Sequence, residues 1–166
     1  MKIGLVSDTH LSSRATGLPR ALTEGLNGVD LILHAGDWID ERSCSLLERI
    51  APIDGVAGNN DGPPIINRFG RRKIITVEGV HIGIVHGDGV KGTTEQRALD
   101  AFLGEKVDII LFGHSHIPHQ SAHEGKILFN PGSPTDKRRQ PQYSYGILTI
   151  DNGFTLSHHF YNDKSV

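Results

Sequence analysis

Short apolar runs that each stop at a cluster of Asp, Asn or His constrain this chain more than any other feature. Lys2 to Ser7 ends in Asp8-Thr9-His10, and Asp30 to His34 ends in Ala35-Gly36-Asp37. Ile53 to Ala57 leads into Gly58-Asn59-Asn60-Asp61, Val80 to Val85 into His86-Gly87-Asp88, and Val107 to Phe112 into Gly113-His114-Ser115-His116. Runs of this length, bounded by Gly and polar residues, read as buried strands. Between the first of them, Leu18, Ala21, Leu22 and Leu26 recur at helical spacing ahead of Gly28, and Cys44, Leu47 and Ile50 do so within Glu41 to Ile50. This β-loop-α-β rhythm implies parallel strands joined by crossover helices, and in such sheets the functional crevice lies outside the carboxyl ends of the strands.

The second half changes character. Ile74 to Val77 and Val80 to Val85 flank Glu78-Gly79 as a hairpin, and Thr93 with Gln96 is a capping box opening a helix to about Leu103. His119 to His123 and Lys126 to Phe129 form a second hairpin. Tyr143 to Ile150 and Phe154 to Tyr161 form a third around Asn152-Gly153. The expected fold class is α/β, with two mixed sheets stacked and helices outside. At 166 residues the chain is expected to be one domain, residues 1–166, with one continuous core.

Seventeen Lys and Arg against nineteen Asp and Glu leave a net charge of −2, which gives no general drive toward nucleic acid or acidic membranes. The one cysteine, Cys44, excludes an internal disulfide framework and a CxxC zinc knuckle. No apolar run approaches the roughly 20 residues of a membrane span, and no secretory leader is evident, so a soluble, cytoplasmic protein is expected.

A single His-x-His turn is weak evidence of chemistry, because surface turns often carry histidine. Five strand ends bearing only Asp, Asn and His are another matter. They bring Asp8, His10, Asp37, Asn59, His86, His114 and His116 toward one crevice. That set exceeds what one tetrahedral ion can use and contains no thiolate, so it calls for two divalent transition-metal ions. Mn²⁺ leads the expectation, with Ni²⁺, Co²⁺, Zn²⁺ or Fe also suited to imidazole and carboxylate. Two such ions about 3.5–4 Å apart can clamp a phosphoryl group and turn a bridging water into hydroxide. Phosphate-ester hydrolysis is the natural reaction.

Asp8-x-His10, Gly36-Asp37, Gly58-Asn59-Asn60-Asp61, His86 and Gly113-His114-x-His116 stand in the order found in the calcineurin-like metallophosphoesterases, and the chain resembles that family from Lys2 through Asn130-Pro131-Gly132-Ser133. Having no insertion, it is most similar to the small prokaryotic phosphodiesterase branch, to which the metal-binding-deficient retromer subunit is related. The resemblance implies a four-layer double β-sandwich flanked by helices, the metallo-dependent phosphatase fold. It also implies that Asp8, His10 and His116 hold one ion, Asn59, His86 and His114 the other, and that Asp37 bridges them.

One position departs from the family pattern. Many relatives carry His after the Gly-Asn pair, where it protonates the leaving group or binds the phosphate, and here Asn60 stands instead. Asparagine is no acid, although it can donate a hydrogen bond to a phosphoryl oxygen. General acid help worth about 10²–10⁴-fold must then come from elsewhere, with His119, just beyond Ile117-Pro118, as a candidate. Aryl esters are therefore expected to be cleaved far better than alkyl esters.

His34 reads as an interior histidine that orients its neighbours, and Asp61 as a residue that orients the Asn59-Asn60 loop; Asp88 could do the same for the His86 loop or stand in solvent. Trp38 reads as filling the core edge rather than walling a cleft, and His81, His123, His158 and His159 as exposed-face residues. The basic runs Arg71-Arg72-Lys73 and Lys137-Arg138-Arg139 could grip substrate phosphates, with solvated turns the plainer reading. The expected activity is a metallophosphodiesterase acting on a small phosphodiester. The rival readings are a phosphomonoesterase or nucleotide pyrophosphatase on the same ions, and a protein-binding scaffold like the retromer subunit. The Ile74 to Val85 hairpin offers an edge through which a homo-oligomer could pair.

Overall fold

The computed structural model describes residues 1–11 and 14–166. Two five-stranded mixed sheets lie face to face. The first has the order β10-β9-β1-β2-β3, built from β1 (Lys2–Val6), β2 (Leu31–His34), β3 (Ile53–Gly55), β9 (Tyr143–Ile150) and β10 (Phe154–Tyr161). The second has the order β4-β5-β6-β8-β7, built from β4 (Arg72–Val77), β5 (Val80–Val85), β6 (Ile109–Leu111), β7 (His119–His123) and β8 (Lys126–Asn130). β1 pairs in parallel with β2 and β2 with β3, while β5, β6 and β8 form the parallel core of the other sheet. Antiparallel pairs close three of the four sheet edges, at β10, β4 and β7, and the parallel strand β3 forms the fourth.

Side-chain alternation explains the stacking. Ile3 and Leu5 of β1 and Leu33 of β2 face Ile82, Ile84, Ile109, Leu111 and Phe129 from the second sheet, forming the layer between the sheets. The opposite face of the first sheet turns Val6, Ile32 and Ile147 onto Leu22, Cys44, Leu47 and Ile65 of α1 (Arg20–Gly25), α2 (Glu41–Glu48) and α3 (Pro63–Phe69). The outer face of the second sheet packs Ile110, Phe112 and Leu128 against Ala98 of α4 (Thr94–Asp100) and Phe102 beyond it. The result is the four-layer α/β architecture that the strand pattern implies. None of the described helices is long and apolar enough to cross a membrane.

Several boundaries differ from the sequence expectation. α3 was not anticipated: Gly62 precedes Pro63 and Pro64 at its start, and Gly70 with φ 73° ends it. Proline suits a first helical turn because its missing N–H has no partner there in any case. β6 covers only Ile109–Leu111, although Phe112 N–H still donates to the Phe129 carbonyl at 3.1 Å. His158 is not an exposed-face residue. It is half-buried, stacks on Phe129 with ring centroids 4.2 Å apart, and its Nε2 lies 2.7 Å from the Asn130 carbonyl.

Because β1, β2, β3, β5 and β6 all run the same way within their sheets, their carboxyl ends meet along one rim. Asp8 N–H donates to the Gly36 carbonyl at 3.0 Å and Gly113 N–H to the His86 carbonyl at 3.0 Å, which ties neighbouring loops within each sheet. His114 N–H donates to Asp8 Oδ2 at 3.0 Å, joining the two sheets at the rim.

Candidate metal centre

Among the described residues, two triads bring metal-ligating atoms within 4.8 Å of one another: Asp8, His10 and His116, and Asp8, Asp37 and His86. Asp8 belongs to both. Asp37 also spans them, since its Oδ2 lies 3.1 Å from His10 Nε2 and 3.3 Å from His86 Nε2. Asp8 Oδ1 lies 3.6 Å from His116 Nε2 and 3.8 Å from His86 Nε2.

Four of these atoms, Asp8 Oδ1, His10 Nε2, His86 Nε2 and His116 Nε2, are buried without a hydrogen-bond partner. Buried polar atoms are normally satisfied, so four orphans facing one space mark a site made for something else. Two of these imidazoles, those of His86 and His116, show what. His86 Nδ1–H donates to the Ala35 carbonyl at 2.8 Å, and His116 Nδ1–H to the Asp136 carbonyl at 2.6 Å. Each ring is thereby held in the tautomer that leaves an Nε2 lone pair toward the cluster, the arrangement metal-ligating histidines use. The donor set fits divalent transition-metal ions.

The electrostatics agree. Burial disfavours charge on His10 and His86, yet the Asp37 and Asp8 carboxylates outweigh it, raising the pKa of His10 to about 9 and that of His86 to about 8. Burial also opposes the ionised carboxylates, but the surrounding imidazoles hold Asp8 and Asp37 below the ordinary carboxylate range. The cavity is built around positive charge, and a cation can replace the protons.

Residues that ligate nothing hold this arrangement in place. Asp61 Oδ2 accepts from the Asp37 and Gly58 N–H groups, each at 2.8 Å, and its Oδ1 from the Ile39 N–H at 2.7 Å, locking the second and third loops together. Gly36 N–H donates to His34 Nδ1 at 3.0 Å, so the His34 proton sits on Nε2 and is directed at Thr9 Oγ1, 3.1 Å away. Burial lowers the pKa of His34 to about 3 and keeps it neutral. Ser133 Oγ donates to the Asp8 carbonyl at 2.8 Å, and Asn130 Nδ2 to the Gly113 carbonyl at 3.1 Å. A Cβ at Gly113 would collide with Ser7 Oγ and lie 2.7 Å from Asp8 Oδ2, so this position requires glycine for space.

The backbone itself is strained here. Asp8, His10, Asp37, His114 and His116 all have positive φ, with values from 37° to 71°. Ile39, at φ 82°, is the costliest, since a β-branched residue clashes most in that region. Such conformations persist when surrounding bonds over-determine them, and they gather at functional sites.

Not every expected residue is drawn in equally. Asn59 is exposed at the rim, and half-buried His114 stands edge-on to His86 with ring centroids 5.2 Å apart. Burial and the neighbouring His86 lower the pKa of His114, leaving a neutral ring. Asn60 turns to Asp37: its backbone N–H donates to Oδ1 and its side-chain Nδ2 to Oδ2, each at 2.9 Å. His119 lies against Phe112, with ring centroids 6.0 Å apart, and its Nε2 is 2.7 Å from Ser121 Oγ; no described contact joins it to the carboxylates. Trp38 is fully buried, stacked between His34 and Phe69. Asp88 is exposed.

Residues 1–153 match the calcineurin-like phosphoesterase superfamily domain. The chain belongs to that superfamily. A probable metallophosphoesterase of Methanothermobacter thermautotrophicus is 38% identical over 157 residues, covering 91% of this chain and 87% of that protein. The probable metallophosphoesterase YsnB of Bacillus subtilis is 34% identical over 130 residues, covering 75% of this chain and 70% of that protein. The fold is shared with Vps29 of Chaetomium thermophilum, at TM-score 0.77 and 17% identity over 98% of both chains. It is also shared with an archaeal phosphodiesterase, at TM-score 0.77 and 22% identity over 97% of this chain and 100% of the other. Membership makes the chain a phosphoric ester hydrolase of the metallophosphoesterase kind, and the orphaned donors above suit its divalent-metal chemistry.

Sequence reasoning missed Ser133, Asn130 and Asp136 as supports of the centre. Their bonds reach Asp8, Gly113 and His116 across the fold, and only the turn composition Asn130-Pro131-Gly132-Ser133 marked a tight loop there.

Proposed function

We propose that this phosphoesterase is a metallophosphodiesterase with a binuclear centre, in which Asp8, His10 and His116 hold one ion, Asn59, His86 and His114 the other, and Asp37 bridges them. Three orphaned imidazole nitrogens and the orphaned Asp8 Oδ1, all buried and gathered with Asp37, carry the reading. Bound divalent ions, Mn²⁺ foremost, would supply the positive charge that acidifies a water and offsets charge developing on phosphorus.

The chain's own groups define the rest. Asp37 spans His10 and His86 and is braced on both oxygens by Asn60, so the loop after β3 sets its angle. The Asn60 amide spends one N–H on Asp37 Oδ2 and keeps a second for a phosphoryl oxygen. Asn60 is no acid, and His119 is engaged with Ser121 and Phe112 in this arrangement, so the leaving group is expected to depart without strong protonation. A small phosphodiester with an aryl or otherwise acidic leaving group fits best.

Reconstitution across Mn²⁺, Ni²⁺, Co²⁺ and Zn²⁺, followed by assay of bis-aryl and mono-aryl phosphates and a series of leaving groups, tests this. Faster bis-ester turnover and a steep fall in rate with leaving-group pKa are expected. Preference for the mono-ester, or a flat dependence on leaving-group pKa, would refute the assignment.

A further inference from the structure

Nothing in the reaction above uses Lys137, Arg138 or Arg139. The loop after β8 carries them to the rim, where they line a cleft of about 190 Å³ with Ser115, Ile117 and Gln140. Ser115 stands between His114 and His116, so the cleft opens beside the turn that serves the metal centre. Arg138 and Arg139 are exposed, and among the described residues no hydrogen bond or ion pair engages either guanidinium.

The loop is not a loose tail. His116 Nδ1–H donates to the Asp136 carbonyl at 2.6 Å, Ser133 Oγ accepts from Asp136 N–H at 2.8 Å, and Gln140 N–H closes a turn on the Lys137 carbonyl at 2.9 Å. Arg138 sits at φ 49°, a strained conformation held by that turn. Across the Thr135–Asp136 strap, a larger cavity of about 490 Å³ reaches His10 and adds Arg14 and Lys164. Among the described residues, Asp136 is the one acidic side chain lining either cavity. Five cations gathered on this rim contrast with a chain whose net charge is −2.

We propose that this rim is a subsite for a second phosphate, so that the preferred substrate is a phosphodiester carrying a further phosphate group beyond the scissile one. The proposal rests on the phosphodiesterase reading. Guanidinium forks bind phosphate oxygens two at a time, and their planar geometry loses less entropy per hydrogen bond formed than a flexible ammonium does. Ile117, 46% exposed between the cations and His116, offers an apolar surface for the sugar or base linking the two phosphates.

The test uses the p-nitrophenyl ester of thymidine 5′-phosphate with and without a 3′-phosphate, so that only the second phosphate differs. The 3′-phosphorylated ester should show a KM about tenfold lower, and the advantage should shrink with added salt. Arg138→Ala/Arg139→Ala should bring the KM ratio near one. Equal KM values in the wild type, or a ratio that survives the double substitution, overturns the proposal. Calorimetry of thymidine 3′,5′-bisphosphate with the metal-free protein reads the subsite without turnover: weaker binding in the double variant supports it, and unchanged binding overturns it. If neither ester is hydrolysed, the phosphodiesterase reading fails while the calorimetric result still decides the subsite. Competition separates the sources of the phosphate. Stronger inhibition by trithymidylate supports a nucleic-acid end, stronger inhibition by inorganic pyrophosphate supports a phosphoanhydride, and inhibition by neither overturns the subsite.

Discussion

The two sides of the candidate centre are built to different standards. On the side of Asp8, His10 and His116, the buried Asp8 and His116 are already aimed: His116 is anchored through Nδ1 to the Asp136 carbonyl, and Asp8 Oδ2 is held by Ser7 Oγ and the His114 N–H, whereas on the other side only His86 is anchored in this way, to the Ala35 carbonyl. There, Asn59 is exposed and His114 is half-buried, its ring held by no described hydrogen bond. The difference teaches that the scaffold pre-forms the pair of carboxylates and the deep histidines, and leaves the outer ligands to be drawn in. One ion should therefore bind more tightly and first.

The sharpest way to break this picture is Asp37→Ala. It removes the oxygen lying between His10 and His86, and metal content and turnover should both fall, the latter about 10³-fold or more. Elemental analysis and a bis-aryl ester assay check it, and full metal-dependent activity would mean that the bridging position is elsewhere. Asp61→Asn should cost about 3 kcal/mol, because the amide that replaces Oδ2 meets the Asp37 and Gly58 N–H groups with a donor of its own. Denaturant unfolding measures that cost, and a change below about 1 kcal/mol would show that the loops are held by something other than Asp61.

His116→Ala and His114→Ala separate the two sides directly. The first should weaken the tight site about hundredfold while the outer ion still binds at high concentration, and the second should weaken only the loose site. Equal and simultaneous loss of both ions in both variants would erase the distinction. The smallest effect concerns His34, whose folded pKa of about 3 lies below its usual 6.5. Below pH 6.5 the unfolded chain takes up a proton that the folded chain refuses, so stability is lost as pH falls toward 3. Between pH 7 and pH 5 this amounts to about 2 kcal/mol. His34→Gln should flatten that acid limb in pH-dependent unfolding, and an unchanged slope would assign it to other groups.

Much of this was legible in the sequence because the strands are short and each stops at its ligand. Asp8, Asp37 and His86 follow apolar runs directly, and parallel strands then force those ends onto one rim. The hairpin at Asn152-Gly153 and the N-cap at Thr93 likewise announce themselves through local chemistry: Thr93 Oγ1 accepts the Gln96 N–H at 3.1 Å, while the Gln96 amide turns to Asp100 instead of completing the capping box. What was not legible depends on distance along the chain. Ser133 supports Asp8 from 125 residues away, and Asp136 anchors His116 through a backbone carbonyl that no side-chain pattern reveals. The positive φ values of Asp8, His10, Asp37, His114 and His116 are equally silent, since none of these residues is glycine. Asn60 shows the same limit at short range. Its type excluded an acid, but only the fold shows its backbone N–H and one amide N–H on Asp37.

Trp38 is the chain's only tryptophan, and its indole stacks on His34 with ring centroids 3.8 Å apart and on Phe69 at 4.7 Å. His34 in turn reaches Thr9, between Asp8 and His10. The molecule thus carries its own optical reporter one residue layer beneath the carboxylates. Intrinsic emission should follow ion loading and acid unfolding of this rim without any label, which turns a packing detail into a titration signal.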